Sequence, residues 1–319
     1  MALALSAAET VRSTTSPNPW VGAVVDAGDQ VFSGATRPPG GAHAEIVALE
    51  AAADRARGAT LACTLEPCNH TGRTGPCTEA IISAGIARVV VGIEDPDPLV
   101  SGGGVARLRD AGIEVVTGVG AEAVADQLAA YLTHRRTGRP YVVLKLAATL
   151  DGRTAAPDGT SQWITGEEAR ADAHRLRAES DAVLVGAGTV RADDPSLTVR
   201  HIDSDRQPLR VVLGQAAPDA RVQPALELTG DLDAVLDKLG GMGVLQVLVE
   251  GGAKVAHDFH RAGLVDRYVV YLAPALMGGD DGRPLMAGAG AATMAEVWRG
   301  RIVGTTQLGA DVRIDMVAG

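Results

Sequence analysis

The chain has 319 residues, 46% hydrophobic and 21% charged, with a formal net charge of −10. That length suits two domains, and the composition excludes disorder as the main state. The acidic balance argues against a nucleic-acid partner, and no apolar run reaches the ~18 residues of a membrane span.

Met1 to Leu5 lacks the basic start and long apolar core of a signal peptide. Three cysteines are too few, and odd in number, for a disulfide framework. They fit a cytoplasmic protein whose thiols bind metal. Aromatic residues make up only 3% of the chain, so the cores must be aliphatic.

Residues 1–12 suit a short helix. Val21 to Val25 and Val31 to Ser33 read as strands around a Gly28-Asp29 turn. A Pro/Gly loop, 38–41, then delivers His43. Ala44 to Ala53 is helical, with Ile46, Leu49 and Ala53 on one face. Ala59 to Thr64 is a strand, Thr78 to Ala84 a helix closed by Gly85, and Arg88 to Gly92 a strand. Val105 to Ala111 is a helix, Ile113 to Thr117 a strand, and 122–134 one further helix. The basic stretch His134 to Pro140 is the best linker.

After it a second α/β alternation begins. Strands are expected at Tyr141 to Leu146, Ala182 to Gly186, Arg210 to Leu213 and Val244 to Val249. Helices are expected at Glu167 to Ala178, 231–239 and Ala253 to Ala262. Arg267 to Leu272, Val297 to Val303 and Asp311 to Val317 read as closing strands. Two α/β domains, 1–140 and 141–319, are the economical reading.

The organising stretch is Pro67-Cys68-Asn69-His70-Thr71-Gly72-Arg73-Thr74-Gly75-Pro76-Cys77, together with His43-Ala44-Glu45. One His and two Cys are the donors of a catalytic zinc that keeps a fourth position for water. A nearby Glu can move that water's protons. Cys77 begins a helix, whose dipole favours a thiolate. His43 and Glu45 would lie about 200° apart within a helix, but at its first turn the ligand can sit off the helix end. A structural zinc site with His70 or Cys63 as fourth ligand, or a plain thiol pair, also fits the residues. Cys63 lies inside a predicted strand, where a free Cys serves as a small hydrophobe.

These motifs resemble the zinc-dependent cytidine deaminase-like superfamily. They look most like the deaminase half of the bifunctional riboflavin biosynthesis deaminase/reductase family. Cys68, His70, Gly72, Arg73, Thr74, Pro76 and Cys77 match its ligand loop, and Pro17-Asn18-Pro19-Trp20-Val21-Gly22 resembles another of its segments. Trp20 stands where a smaller or polar residue is more usual. The resemblance implies zinc on His43, Cys68 and Cys77. It gives Glu45 the proton transfer from water to the leaving amine. Asn18, His70 and Arg73 are substrate contacts, with a plain turn residue and solvated loop charge as the alternatives for Asn18 and Arg73.

The second half carries no G-x-G-x-x-G fingerprint. Gly186-Ala187-Gly188-Thr189 and Glu250-Gly251-Gly252-Ala253 each follow a strand, and the second opens a helix that can hold a phosphate. A tight strand-to-helix turn fits equally. Lys145 inside a strand pattern is either desolvated and functional or solvent-facing. Asp151 either orients a sugar or makes an Asp-Gly turn. Arg177 and Arg200 suit phosphate, since guanidinium forks onto its oxygens, or are surface charge.

This half resembles the same family's reductase, with its dihydrofolate reductase-like fold. The carriers are Lys145-Leu146-Ala147, Thr149-Leu150-Asp151-Gly152-Arg153, Ser161-Gln162-Trp163-Ile164-Thr165, 193–200, Glu250-Gly251-Gly252 and Leu264-Val265-Asp266. The resemblance implies NADPH near Ala147, Trp163, Thr189, Asp193 and Gly252. It implies a phosphorylated sugar near Lys145, Asp151, Ser161, Arg177, Leu197, Arg200 and Glu250. Gly214-Gln215 replaces the family's usual Asp-Ser.

The expected protein is thus two three-layer α/β domains, a pyrimidine deaminase and an NADPH-dependent reductase of riboflavin biosynthesis. Its partner is a pyrimidine ribosyl phosphate, and a homodimer is its expected assembly. Two rival readings stay open at this stage. A deaminase of another base with a degenerate second domain would release ammonia without oxidising NADPH. A zinc-stabilised RNA-binding or scaffold protein would place four protein ligands on the metal and turn nothing over.

Overall fold

The computed structural model describes residues 1–70, 75–97, 101–202, 204 and 206–319. The chain forms two compact units, Met1–Gly138 and Arg139–Gly319.

The first unit runs α1 (Ala2–Glu9), β1 (Gly22–Asp26), β2 (Val31–Ala35), α2 (Ala44–Ala52), β3 (Thr60–Leu65), α3 (Cys77–Ala84), β4 (Arg88–Ile93), α4 (Gly103–Asp110), β5 (Glu114–Thr117), α5 (Ala121–Gln127) and α6 (Ala129–Thr137). Its sheet has the order β2-β1-β3-β4-β5. β1 is antiparallel to β2 and β3, and β3 to β5 are parallel. Alanines keep the helices close to the sheet: Ala44, Ala48 and Ala52 of α2 are buried. Gly34 of β2 completes the fit, because a Cβ there would fall 2.3 Å from the Ala44 carbonyl oxygen. The helix that carries the site thus lies directly on the strand backbone.

The second unit runs β6 (Tyr141–Thr149), β7 (Arg153–Ala155), α7 (Glu167–Glu179), β8 (Ala182–Gly186), α8 (Ala187–Asp193), β9 (Leu209–Leu213), β10 (Leu226–Leu228), α9 (Leu232–Gly241), β11 (Gln246–Val249), α10 (Ala253–Arg261), β12 (Arg267–Ala273), β13 (Arg283–Pro284), β14 (Gly300–Leu308) and β15 (Asp311–Ala318). The main sheet has the order β10-β9-β8-β11-β6-β12-β15-β14. It is parallel from β10 to β12, and β15 and β14 close it antiparallel at one edge.

Side-chain alternation makes this unit three-layered. Val142, Leu144, Val247 and Val249 enter one core with Phe259 of α10, while Val143, Val183 and Leu248 enter the other with Leu176 of α7. Strands buried on both faces read as continuous apolar runs, which is why β6, β8 and β11 were visible in the sequence.

Two expectations need correction. The helix over 122–134 is two helices, because Leu128 leaves helical geometry at φ −94°, ψ 14° and is fully buried. The basic stretch from His134 to Pro140 does hold the boundary between the units, after Gly138, but its first part is a helix end: α6 continues to Thr137, its last-turn cations suit the helix dipole, and Gly138 caps it at φ 74°. In addition, α8 stands where a turn was expected, and β7, β10 and β13 were too short to read.

Candidate active sites

In the first unit the site is built at two helix starts. His43 is the N-cap of α2 with extended backbone (φ −72°, ψ 161°), and Glu45 lies in the first helical turn. The imidazole therefore stands off the helix end while the carboxyl lines the interior. Cys68 follows β3, and Cys77 opens α3. His43 Nδ1 lies 3.5 Å from Cys68 Sγ and 3.3 Å from Cys77 Sγ, and the two sulfurs are 3.4 Å apart. The three ligand atoms all fall within 4.8 Å of one another.

Charge reinforces this geometry. The contact between the two sulfurs lowers the Cys68 thiol and raises that of Cys77, so that one of the pair ionises more readily than the other. The Cys77 backbone N–H also points at Cys68 Sγ, at 3.5 Å. One thiolate beside an imidazole, with a second thiol in contact, is a donor set that fits zinc. Burial pushes Glu45 up to about 7, against lowering by its own backbone N–H and by His43. A carboxyl near neutrality both accepts and returns a proton.

A cavity of about 210 Å³ opens on this cluster, lined among others by Asn18, His43, Glu45, Cys68, His70 and Asp95. Asn18 is part-buried and His70 exposed on its rim. His70 is not part of the three-ligand group, and Cys63 is fully buried in β3 with its sulfur directed at the Val90 carbonyl. Arg73 lies outside the described residues. Trp20 does not face the cavity: it is 2% exposed and donates its indole N–H to the Gln127 carbonyl at 2.9 Å. That departure from the usual residue is a packing change.

Four features of this site were missed in the sequence. Asp95 lines the cavity after β4 and is held above the usual carboxylate range by burial. Tyr131 donates to both of its oxygens, at 3.0 and 3.1 Å. Arg135, one turn further along α6, also lines the cavity and pairs with Asp97 at 3.4 Å. Glu66 accepts backbone N–H bonds from Asp95, Gly102, Gly104 and Val105, at 2.9–3.1 Å. This buried carboxylate ties the cysteine loop to α4 at its N-terminal end. An acidic Asp-Pro-Asp run at a parallel strand's carboxyl end was the available signal for Asp95.

In the second unit, Glu250 leaves the carboxyl end of β11 and meets Arg177 of α7 through two hydrogen bonds, 2.5 and 2.8 Å. Burial alone would raise Glu250, but Arg177, Lys145 and His174 outweigh it and hold it at about 2. Burial lowers Lys145, and Glu250 opposes that shift. The Lys145 ammonium lies 5.7 Å from the centre of the Tyr271 ring. Arg177 also donates to the Thr198 carbonyl at 3.1 Å, which brings in the loop of buried Leu197 and exposed Arg200.

Beside this cluster the Gly252 N–H donates to Thr189 Oγ1 at 3.1 Å, joining α8 to the turn after β11. A Cβ at Gly251 or Gly186 would fall 2.5 or 2.8 Å from Val255. Glycine at these adjacent strand ends lets Val255 of α10 pack close against them, and the N-terminus of α10 that follows is of the kind that can hold a phosphate. Gly214 has φ 103° and a Cβ there would lie 3.0 Å from that of Ala187. Glycine at the family's usual Asp position therefore suits a left-handed backbone.

Other expected residues stand apart from this cluster. Ala147 is on β6 and Asp193 is the exposed last residue of α8. Trp163 is 69% exposed, with the Arg170 guanidinium 4.6 Å above its ring, and Ser161 is on the same loop. The Asp151 carboxylate is engaged by Thr149 at 2.5 Å and by the Met277 and Gly278 N–H groups at 3.0 and 2.9 Å. These bonds anchor the turn after β6 to a second segment.

Residues 140–314 match the family model of the RibD C-terminal domain, and residues 1–93 match the cytidine and deoxycytidylate deaminase zinc-binding region. The chain is 50% identical to the riboflavin biosynthesis protein RibD of Corynebacterium ammoniagenes, over 86% of this chain and 85% of that one. It is 43% identical to RibD of Mycobacterium tuberculosis over 100% and 96%. The solved structure of Acinetobacter baumannii RibD superposes with a TM-score of 0.92 at 38% identity, covering 99% of this chain and 97% of that one. The Thermotoga maritima deaminase/reductase structure does so at 0.88 and 34%, with the same coverage. The expected cytidine deaminase-like and dihydrofolate reductase-like halves are those of these structures. A degenerate second domain or an unrelated scaffold is set aside by the match over the reductase half. The chain belongs to the bifunctional RibD family of riboflavin biosynthesis enzymes, with a zinc-binding deaminase domain and an NADPH-dependent reductase domain acting on a small pyrimidine.

Proposed function

We propose that the first unit hydrolytically deaminates 2,5-diamino-6-ribosylamino-4(3H)-pyrimidinone 5′-phosphate and that the second reduces its ribosyl group to ribityl. The observation carrying the first assignment is the grouping of the His43, Cys68 and Cys77 ligand atoms within 4.8 Å of one another, beside a cavity that His43, Cys68 and Glu45 line.

His43, Cys68 and Cys77 would hold the zinc. When bound, zinc brings the pKa of a water at its open position towards neutrality. Glu45 would take a proton from the attacking water and deliver it to the leaving amine, so that a ring C–N bond is exchanged for C–O and ammonia departs. Asn18, His70 and Asp95 orient the pyrimidine from the cavity wall.

In the second unit Arg177 and Arg200 grip the substrate phosphate, with Leu197 and Ser161 beside it. Glu250 and Lys145 face the sugar. Ala147, Trp163, Thr189, Asp193 and Gly252 hold NADPH, whose hydride transfer is the cofactor's own chemistry. Asp151 acts by ordering the loop at the end of β6, which its three hydrogen bonds support.

The assembly is a homodimer. Ile302, 56% exposed on the edge strand β14, and the neighbouring Val297 and Trp298, each 38% exposed, are the apolar surface that favours it. A cytoplasmic location is supported by three free cysteines. Among the described residues no helix is long and apolar enough to cross a membrane.

The test is purified protein with the pyrimidinone phosphate, following ammonia release and NADPH absorbance together. Both signals are expected. Ammonia without NADPH consumption would remove the reductase assignment; neither signal would remove the deaminase assignment, and supplying the deaminated compound then tests the reductase by itself.

A further inference from the structure

The loop 194–201 carries Leu197 and Arg200, and its backbone is strained. Asp194, Leu197 and His201 are non-glycine residues in the left-handed region, at φ 38°, 52° and 66°. Each such residue carries a conformational penalty and persists only where its surroundings hold it. The holding contacts can be named. Arg177 Nη1 donates to the Thr198 carbonyl at 3.1 Å, and Gln207 Oε1 accepts the Val199 N–H at 2.7 Å. The Arg200 N–H donates to His174 Nδ1 at 3.0 Å. His174 and Arg177 lie three apart on α7 and so share one face. Together they clip the loop at two residues, 198 and 200.

His174 is 6% exposed, and its ring meets the edge of His201 at 4.9 Å. An amide N–H needs a lone pair opposite it, so the ring must carry its proton on Nε2 and leave Nδ1 bare. The Arg200 guanidinium bonds to Ser196 Oγ and to Thr198 Oγ1, the latter at 2.9 Å, so it is held within the same loop that His174 fixes.

We propose that His174 is a positioning residue of the reductase site: its bare Nδ1 holds the Arg200 amide and keeps the strained loop in the conformation that presents Arg200 to the substrate phosphate. The proposal rests on the reading of Arg200 as a phosphate contact. His174 itself touches neither substrate nor cofactor in this role. Its removal acts on phosphate affinity rather than on hydride transfer.

The test is NADPH oxidation by the full chain, with the deaminated substrate and its dephosphorylated form, in wild type and four variants. His174→Leu removes the acceptor. It is expected to raise KM for the phosphorylated substrate about tenfold, the scale of one lost hydrogen bond. Its kcat and KM for NADPH should stay within about twofold. His174→Asn places an amide oxygen near the Nδ1 position and is expected to restore KM, whereas His174→Gln, with its oxygen further out, is not. With the dephosphorylated substrate the His174→Leu effect is expected to vanish. Nitrogen NMR of labelled histidine should show an unprotonated Nδ1 at His174, which keeps the proposal testable if His174→Leu does not fold. A protonated Nδ1 would overturn it.

Arg200→Ala separates the two levels. If Arg200→Ala raises KM for the phosphorylated substrate and His174→Leu does not, the positioning role falls and the phosphate reading stands. If Arg200→Ala leaves KM unchanged, the phosphate reading falls and takes the proposal with it.

Discussion

Glu250 and Arg177 are joined by two hydrogen bonds, 2.5 and 2.8 Å long, with side chains only 9% and 13% exposed. A buried pair of this kind is worth little against an apolar replacement, but breaking it strands a charge, at roughly 3–5 kcal/mol. Glu250→Gln is therefore expected to lower the melting temperature of the reductase unit and to abolish NADPH oxidation. Ammonia release, measured below that transition, should persist. Arg177→Lys keeps the charge but loses the fork, and should raise the substrate KM.

The structure explains how far the sequence could be read. Metal ligation restricts residue type and spacing, so His43, Cys68, Cys77 and Glu45 stand out in one stretch. Asp95, Tyr131 and Arg135 do not, because they reach the same cavity from the loop after β4 and from α6, and each alone reads as an ordinary polar side chain facing water. Glu66 is hidden for another reason: its partners are backbone N–H groups, which carry no residue signature. The same holds for His174, whose partner is the Arg200 amide. The fold followed its periodicity well where strands are buried on both faces. It misled at Leu128, where a helix break occurs without glycine or proline.

Removing one ligand should separate the activities. Cys77→Ser is expected to lower bound zinc and to reduce ammonia release by at least about a hundredfold. NADPH oxidation with the already deaminated substrate should be unchanged. Zinc content by elemental measurement, alongside both rates, checks this.

The backbone contact behind the cysteine loop can be probed by size. A Cβ at Gly104 would fall 1.9 Å from the Pro67 carbonyl oxygen, next to Cys68, while one at Gly103 meets nothing within 4 Å. Gly104→Ala is expected to destabilise the deaminase unit by about 1–3 kcal/mol and to weaken zinc retention. Gly103→Ala should be neutral or slightly stabilising. Urea unfolding of the two variants decides.

His174 provides a pH prediction with a definite sign. Burial first, then Arg177, Arg200 and His201, lower it from 6.5 to about 4, with Glu250 opposing. Between those values the unfolded chain binds a proton that the folded chain does not. Stability from this group is therefore complete above pH 6.5 and is lost as pH falls towards 4. Comparing urea midpoints across pH for wild type and His174→Asn isolates it: the wild type should lose more, and only within that window.

The most direct test of the deaminase assignment is Glu45→Gln in the coupled assay, starting from the diaminopyrimidinone phosphate. The carboxyl that shuttles the proton is gone, so ammonia release is expected to fall by about a hundredfold or more. NADPH oxidation should fall with it and return in full when the deaminated compound is supplied. A Glu45→Gln protein that releases ammonia at the wild-type rate would contradict the role given to Glu45.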